Sequence, residues 1–422
     1  MSAMADLLFL CHRIPYPPNK GDKIRAYHWL DHLADRFRVH LGCFVDDPAD
    51  LAHVPMLERR VARLAAIPLS PGRARLGAVR RARPGRPLSI GYYDDRRMWR
   101  FVEETASRWR PETVVAFSAA MAPYAAAVDG AKRLLDMVDV DSEKFAAYAE
   151  DSTGAARLFW AREARTLLRF ERRAAACFDR TLFVSAAEES RFLALAPAAR
   201  GATAWVPNGV DAGHFAPDHG LKRPFPPGAT AVFTGAMDYR PNVEACVWFA
   251  EQVLPRLQAT GAAPRFCIVG ANPAPAIRRL AARAGILVTG AVADTRPYLA
   301  HADVAVAPLA IARGVQNKVL EAMAMAKPVV ATAAAFTGIE AEPGRDLLIA
   351  DDPAAMAEAV ASVLAGRHPG LGPAARAAVT RNHAWQSSYD RFDSVLEAAS
   401  RPPELRRVAP APVTAAAGGA HP

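Results

Sequence analysis

The feature that most limits what this chain can become is an alternation. Short apolar runs are separated by longer amphipathic stretches along nearly the whole of its 422 residues. That alternation is the pattern of β-α-β units wound around parallel sheets. In the first half the runs predict strands over Leu7–Leu10, Val39–Phe44, Val114–Phe117, Arg133–Asp136, Thr181–Val184 and Ala204–Val206. In the second half they predict Ala231–Thr234, Phe266–Val269, Leu287–Thr289, Val304–Ala307, Pro328–Ala331 and Leu347–Ile349. Helices are expected over Ala155–Phe178, Val243–Gln258 and Pro273–Ala284.

Between the halves, Asp211-Ala-Gly-His-Phe-Ala-Pro-Asp-His-Gly is followed by Lys222-Arg-Pro-Phe-Pro-Pro-Gly228. Proline and glycine at that density end elements rather than extend them. The fold class expected is α/β, with two Rossmann-like domains facing a cleft where a ligand would lie. The divisions expected are an amino-terminal domain over 1–214, a linker over 215–229, a carboxyl-terminal domain over 230–384, a helix over 385–400 and a disordered tail over 401–422.

No apolar run approaches the roughly 20 residues of a membrane-spanning helix. The start, Met1 to Leu10, has neither a basic flank nor a small-residue cleavage site and reads as a first buried strand. The five cysteines, Cys11, Cys43, Cys177, Cys246 and Cys267, are scattered and form no Cys-x-x-Cys pair. Neither a disulfide framework nor a zinc site is supported, and the compartment expected is the cytoplasm.

The net charge is +9, of which about two-thirds falls in residues 1–214. Arg73, Arg75, Arg80, Arg81, Arg83 and Arg86 follow one another without an acid between them. Such a run draws the chain to an anionic membrane surface, at about 1 kcal/mol per residue, or is a solvated arginine-rich loop. No helix-turn-helix, zinc-finger or ribonucleoprotein pattern accompanies it, so no nucleic-acid partner is expected.

The richest stretch chemically runs from Ala312 to Ala331, a loop that opens into a helix. Gly314 lets the backbone approach a ligand, and the helix start behind it offers free N–H groups to a phosphate. Lys318 and Arg313 would offset pyrophosphate charge, and Glu321 could accept two vicinal ribose hydroxyls. A plain helix N-terminus with a well-placed acid reads equally well from these residues alone.

Glu321-Ala-Met-Ala-Met-Ala-Lys-Pro-Val-Val-Ala331 resembles the donor-site signature of glycosyltransferase family 4. Other pieces agree in order. They are Val184-Ser185 with Glu188, Val206-Pro-Asn-Gly-Val-Asp211 with Phe215, Phe233-Thr-Gly235, Ile268-Val-Gly270, Val288-Thr-Gly290, and Ala302-Asp-Val304 with Ala307-Pro308. The wording of Gly235-Ala-Met-Asp-Tyr-Arg-Pro-Asn242, Met137-Val-Asp-Val-Asp-Ser142 and Gly314-Val-Gln-Asn-Lys318 is similar to the sugar transferases found with PEP-CTERM exopolysaccharide systems. The resemblance spans about Leu7 to Ala398. It implies the GT-B fold and transfer of a sugar from a nucleotide-sugar to a lipid-linked or polysaccharide acceptor, with retention of configuration and with no cofactor or metal.

By that resemblance the carboxyl-terminal domain holds the donor. Glu321 would take the ribose, the turn from Gly290 to Val292 the base, and Gly314 with Lys318 the phosphates, beside Gly235. Two departures stand out. The first glutamate of the family's pair falls at Arg313, and the family's basic pair falls at Ala236 and Pro241. Arg240 and Lys318 are the nearest substitutes for the latter. In Pro15-Tyr-Pro-Pro-Asn-Lys-Gly-Asp-Lys-Ile-Arg25, the family's glycine corresponds to Gly21, which would approach the donor from the first domain. Asp22, Arg25, Ser142 and Lys144 are the acceptor-side candidates. The same loop also reads as proline-rich chain capped by Asp before a helix.

Asp139-Val-Asp141 has the Asp-x-Asp spacing of metal-dependent glycosyltransferases of another fold. In a twin-domain layout these acids would line the cleft or cap a helix. His12, His28, His32 and His40 show no zinc spacing. No catalytic base is assigned. A sugar epimerase on the same scaffold, or a non-catalytic nucleotide- or membrane-binding scaffold of a polysaccharide assembly complex, are the rival readings.

Overall fold

Parallel pairing sorts the computed structural model, which describes residues 4–18, 20–217, 220–312 and 314–399, into two separate sheets. The first contains β1 (Asp6–Cys11), β2 (Arg38–Val45), β3 (Arg63–Pro68), β4 (Thr113–Phe117), β5 (Lys132–Val138), β6 (Arg180–Phe183) and β7 (Thr203–Trp205), in the order β3-β2-β1-β4-β5-β6-β7. The second contains β8 (Thr230–Thr234), β9 (Arg265–Val269), β10 (Ile286–Val288), β11 (Val304–Ala307), β12 (Val329–Ala331) and β13 (Leu348–Ile349), in the order β10-β9-β8-β11-β12-β13. In each sheet the first strand lies inside, with its neighbours leading off to opposite sides. That reversal is the topological switch point, where loops leaving the carboxyl ends of the strands part and open a crevice.

Every predicted strand is present. The sequence did not predict β3, whose Arg63-Leu-Ala-Ala-Ile-Pro68 is half-buried at a sheet edge and carries a charge and a proline. The 24-residue helix Gly154–Cys177 agrees with expectation to one residue at each end. The long helix expected from Val243 is broken into Arg240–Trp248, a π turn over Phe249–Val253 and a further helix over Leu254–Ala259. Pro255 lacks a backbone donor, and a π turn just ahead of it absorbs the irregularity. The helix expected over Pro273–Ala284 is only Pro275–Leu280.

Two compact units result. One comprises residues up to Trp205 together with those from Phe392 onward, and the other is Val206–Arg391. The segment expected as a linker, 215–229, is bonded into the second unit, where Arg376 Nη1 donates to Phe215 O at 3.0 Å. Val210, expected in the first domain, also belongs to the second unit and donates its N–H to His383 O at 2.7 Å. Arg265 Nη1 reaches Pro226 O at 2.8 Å. The Trp385–Glu397 helix ends in the first unit, where Phe392 stacks on Trp29 at 4.6 Å and Asp393 accepts from His32 at 3.0 Å. The tail expected over 401–422 and Arg313 lie outside the described residues.

The core of the second unit gathers Phe233, Phe249, Phe266, Ile268, Val306 and Val330. That of the first gathers Leu8, Phe44, Val114, Leu135 and Phe183. Each such side chain contributes about 1.5–3 kcal/mol when fully buried. No described helix is long and apolar enough to cross a membrane.

Candidate active site

At the switch point of the second sheet, β8 runs out at Thr234 and the chain turns through Gly235, whose φ is +155°. Its N–H donates to Val269 O on β9 at 3.0 Å. The two turns press together so closely that a Cβ on Gly270 would stand 1.7 Å from Gly235 O. A Cβ on Gly235 would in turn meet Asn242 Nδ2 at 2.7 Å and Lys318 Cε at 3.4 Å. Glycine at both places is therefore a requirement of packing.

Lys318 is on the first turn of the Asn317–Ala324 helix. Its Nζ donates to Asn242 Oδ1 at 2.5 Å and lies 4.7 Å from the centre of the Phe233 ring. Asn242 Nδ2 donates to Ala236 O at 2.8 Å, so one buried amide ties the turn after β8 to the lysine. Burial brings the Lys318 ammonium down to about 8, against the opposing pull of Cys246 and Glu321. Asn208, reaching Asn317 Oδ1 at 3.4 Å, joins the chain after β7 to the same helix.

Glu321 follows one turn later and is half-buried. Its carboxylate has no hydrogen-bond donor among the described residues. Burial pushes it up to about 7, only partly offset by Lys318. A half-buried acceptor with no donor is suited to a ligand carrying hydroxyls. Gly314 is buried at φ +61°, ahead of the helix start.

The remaining donor-side candidates are distributed less tightly. Arg240 opens the Arg240–Trp248 helix, but its Nε donates to Glu244 Oε1 at 2.6 Å and the side chain is exposed. Gly290 follows β10 at φ +70° with open space where a Cβ would be, and Val292 packs against the core.

In the first unit, Gly21 and Asp22 open the Gly21–Ala34 helix. Arg13 Nη1 donates to Asp22 at 2.5 Å and Arg13 Nε to Asp46 at 2.8 Å. His12 Nε2 lies 3.5 Å from Asp22. Burial alone would raise the Asp22 carboxyl, but His12 and Arg13 hold it well below the usual range. The His12 ring stacks on Phe117 at 6.0 Å, and its Nδ1 is buried without a hydrogen-bond partner among the described residues. Thus His12, directly after β1, sits at the first sheet's switch point. The sequence offered only its place after the first strand as a signal.

Arg25 and Ser142 do not present themselves to an acceptor. Arg25 is fully buried, with Nε 2.7 Å from Asp136 Oδ2, an oxygen that Trp29 Nε1 also reaches at 2.9 Å. Ser142 Oγ donates inward to Glu171 at 2.5 Å, and burial pushes the Glu171 carboxyl up to about 8. Both residues face inward because their helices turn these positions toward buried acids. Lys144 is half-buried, and its Nζ donates to Asp141 Oδ1 at 3.3 Å. Asp139 is half-buried, with one oxygen lacking a hydrogen-bond partner among the described residues, and burial beside Glu188 pushes it up to about 7. No group of three His, Cys, Asp or Glu arranged to hold a metal ion occurs among the described residues.

Asn242 and Phe233, which set Lys318 in place, belong to the site although the sequence had marked neither for a role. The available signal was an asparagine at the start of the helix that follows Gly235.

Residues 228–366 match the family model described as glycosyl transferases group 1. In fold the chain is similar to HepE of Anabaena, solved in complex with UDP and glucose, at 16% identity over 93% of this chain and 99% of that one, with a TM-score of 0.62. It is similar to sucrose-phosphate synthase from Thermosynechococcus elongatus at 17% identity, over 94% and 100% of the two chains, with a TM-score of 0.65. It is also similar to α,α-trehalose 6-phosphate synthase from Burkholderia multivorans at 14% identity, over 93% and 98%, with a TM-score of 0.62. No curated protein sequence matches the chain. Residues 228–366 thus match the group 1 glycosyl transferase model, and the chain as a whole has the GT-B fold of the structures it is similar to.

Proposed function

We propose that this glycosyltransferase moves a hexosyl group from a nucleotide-sugar to a lipid-linked or polysaccharide acceptor in exopolysaccharide assembly, with retention of configuration and without a metal or other cofactor. The observation that carries the donor side is the packed knot of Gly235, Asn242 and Lys318 with Glu321 one turn beyond. The Lys318 ammonium and the N-terminus of its helix would meet the diphosphate, and Glu321 would accept from the ribose hydroxyls. Gly314 gives the phosphates close approach to backbone, and the turn from Gly290 to Val292 borders the base.

Charge develops on the nucleoside diphosphate as the glycosidic bond breaks. A fixed cation in a site with little water stabilises that leaving group more than the ground state. HepE, bound to UDP and glucose, supports a nucleotide-sugar as the donor class. On the first unit, Asp22 in the first turn of its helix would serve the acceptor side, with Lys144, which donates to Asp141, as a further candidate. The enzyme would work in the cytoplasm, peripheral at the inner face of the membrane.

The test is calorimetric titration of UDP, GDP, ADP and their sugar conjugates, without metal, into wild type and Glu321→Ala. Micromolar binding of one nucleotide, lost in the variant, supports the donor site and names its base. Absence of binding to all of them refutes it.

A further inference from the structure

We infer that the first unit docks on an anionic bilayer through two exposed helical segments, the outer side of Pro71–Arg80 and the second turn of Gly154–Cys177. This inference rests on the membrane-side reading above and gives it a surface. Along Pro71–Arg80, Ala74, Gly77 and Ala78 turn inward, leaving Leu76 51% and Val79 62% exposed. At the start of Gly154–Cys177, Leu158 is 74% and Phe159 44% exposed. Large apolar side chains grouped on a surface in this way mark an interaction site.

The two segments flank one short helix, Leu88–Tyr92. A Cβ on Gly91 would stand 3.4 Å from Ala78 Cα, so the first segment packs against it. Its other end is fastened to the second segment, where Glu163 accepts from Leu88 N at 3.0 Å and from Ser89 N at 2.7 Å. Phe159 is one turn before Glu163 on that helix. A five-residue helix is about 7.5 Å long, which keeps both apolar pairs on neighbouring ground.

Charge decides the occupant. Asp94 takes up Arg86 at 2.9 Å and Arg81 at 3.7 Å. The side chains of Arg73, Arg75, Arg80 and Arg83 have no ion-pair partner among the described residues and are exposed. No acid lies between Glu58 and Asp94. Unpaired guanidinium groups alternating with protruding leucine, valine and phenylalanine match a headgroup layer over acyl chains, with the apolar tips below and the cations at phosphate level. A nucleic acid would use the arginines and leave the apolar side chains in water.

The experiment is co-sedimentation of the full chain with vesicles of phosphatidylglycerol and phosphatidylcholine in equal parts, against phosphatidylcholine alone. Binding is expected only to the anionic vesicles, and weakening with salt. Leu76→Ser with Val79→Ser is expected to lower it about tenfold, as is Leu158→Ser with Phe159→Ser. Replacing Arg73, Arg80 and Arg83 by Ser is expected to lower it about 100-fold. Equal binding to neutral vesicles, no loss in either serine pair, or binding to heparin without binding to vesicles overturns the inference. The same variants are titrated with nucleotide. Retained nucleotide binding with lost vesicle binding shows folded protein and separates this surface from the donor site, whose own failure would leave vesicle binding intact.

Discussion

Lys318 and Asn242 are joined by a 2.5 Å hydrogen bond that links two helices of the second sheet's layer across its switch point. Asn242 spends its other amide group on Ala236 O, so it fixes both the lysine and the turn after β8. Asn242→Ala is expected to weaken nucleotide binding about tenfold and to lower unfolding stability by about 1–2 kcal/mol, since the partners left behind are only partly rehydrated. Titration calorimetry and urea unfolding measure the two effects. Unchanged binding would remove Asn242 from the site.

The contact between the turns after β8 and β9 tolerates no side chain. Gly270→Ala places a Cβ where Gly235 O already lies, and backbone must move. A loss of about 3 kcal/mol or more is expected by urea unfolding. Gly290→Ala, with free space but a φ of +70°, is expected to cost only about 1 kcal/mol. Reversal of that ranking would contradict the packing described.

Arg25 and Asp136 form a fully buried pair with Trp29 as a third member. Arg25→Met alone strands a buried carboxylate and is expected to cost about 3–5 kcal/mol. Arg25→Met with Asp136→Leu removes both charges and is expected to recover most of it. Thermal unfolding of the two variants decides the matter, additive losses being the contrary result.

Glu321 and Lys318 give binding a pH signature. The Glu321 carboxyl is raised to about 7 and the Lys318 ammonium lowered to about 8. Ionised glutamate with charged lysine is the state suited to a diphosphate nucleoside, so affinity should peak between those values and fall on both sides. Stability follows the opposite logic for the acid. Its raised value means that the unliganded protein loses stability as pH rises from about 4.5, the unfolded value, through about 7. Glu321→Gln is therefore expected to stabilise the unliganded chain by about 1–3 kcal/mol at pH 8 and hardly at all at pH 4. Melting curves at the two pH values check it, and equal melting shifts would be inconsistent with a burdened carboxylate.

Much of the architecture was legible because buried parallel strands must be apolar throughout. Leu7–Leu10 and Ala231–Thr234 could be read almost to their ends for that reason. β3 escaped because an edge strand need satisfy only one neighbour and can carry Arg63. At the site, Gly235 and Lys318 were readable from their spacing after a strand and before a helix. Where charges would go was not. Arg25 lies three residues beyond Asp22 on the same helix, yet finds its acid 111 residues away, a pairing that no local pattern encodes. Arg240, a phosphate candidate, donates to Glu244 one turn along its own helix, an exposed pairing that its spacing does permit.

The return of Phe392 and Asp393 to the Gly21–Ala34 helix sets an order on biosynthesis. Everything else in the first unit precedes Val206, but Trp29 waits for an aromatic cover made after the whole second unit. The roughly 190 intervening residues take about 10–40 s to synthesise. During that interval the indole face of Trp29 is open, and chaperones or a premature partner can reach it. The half of the enzyme that is made first is the half that closes last.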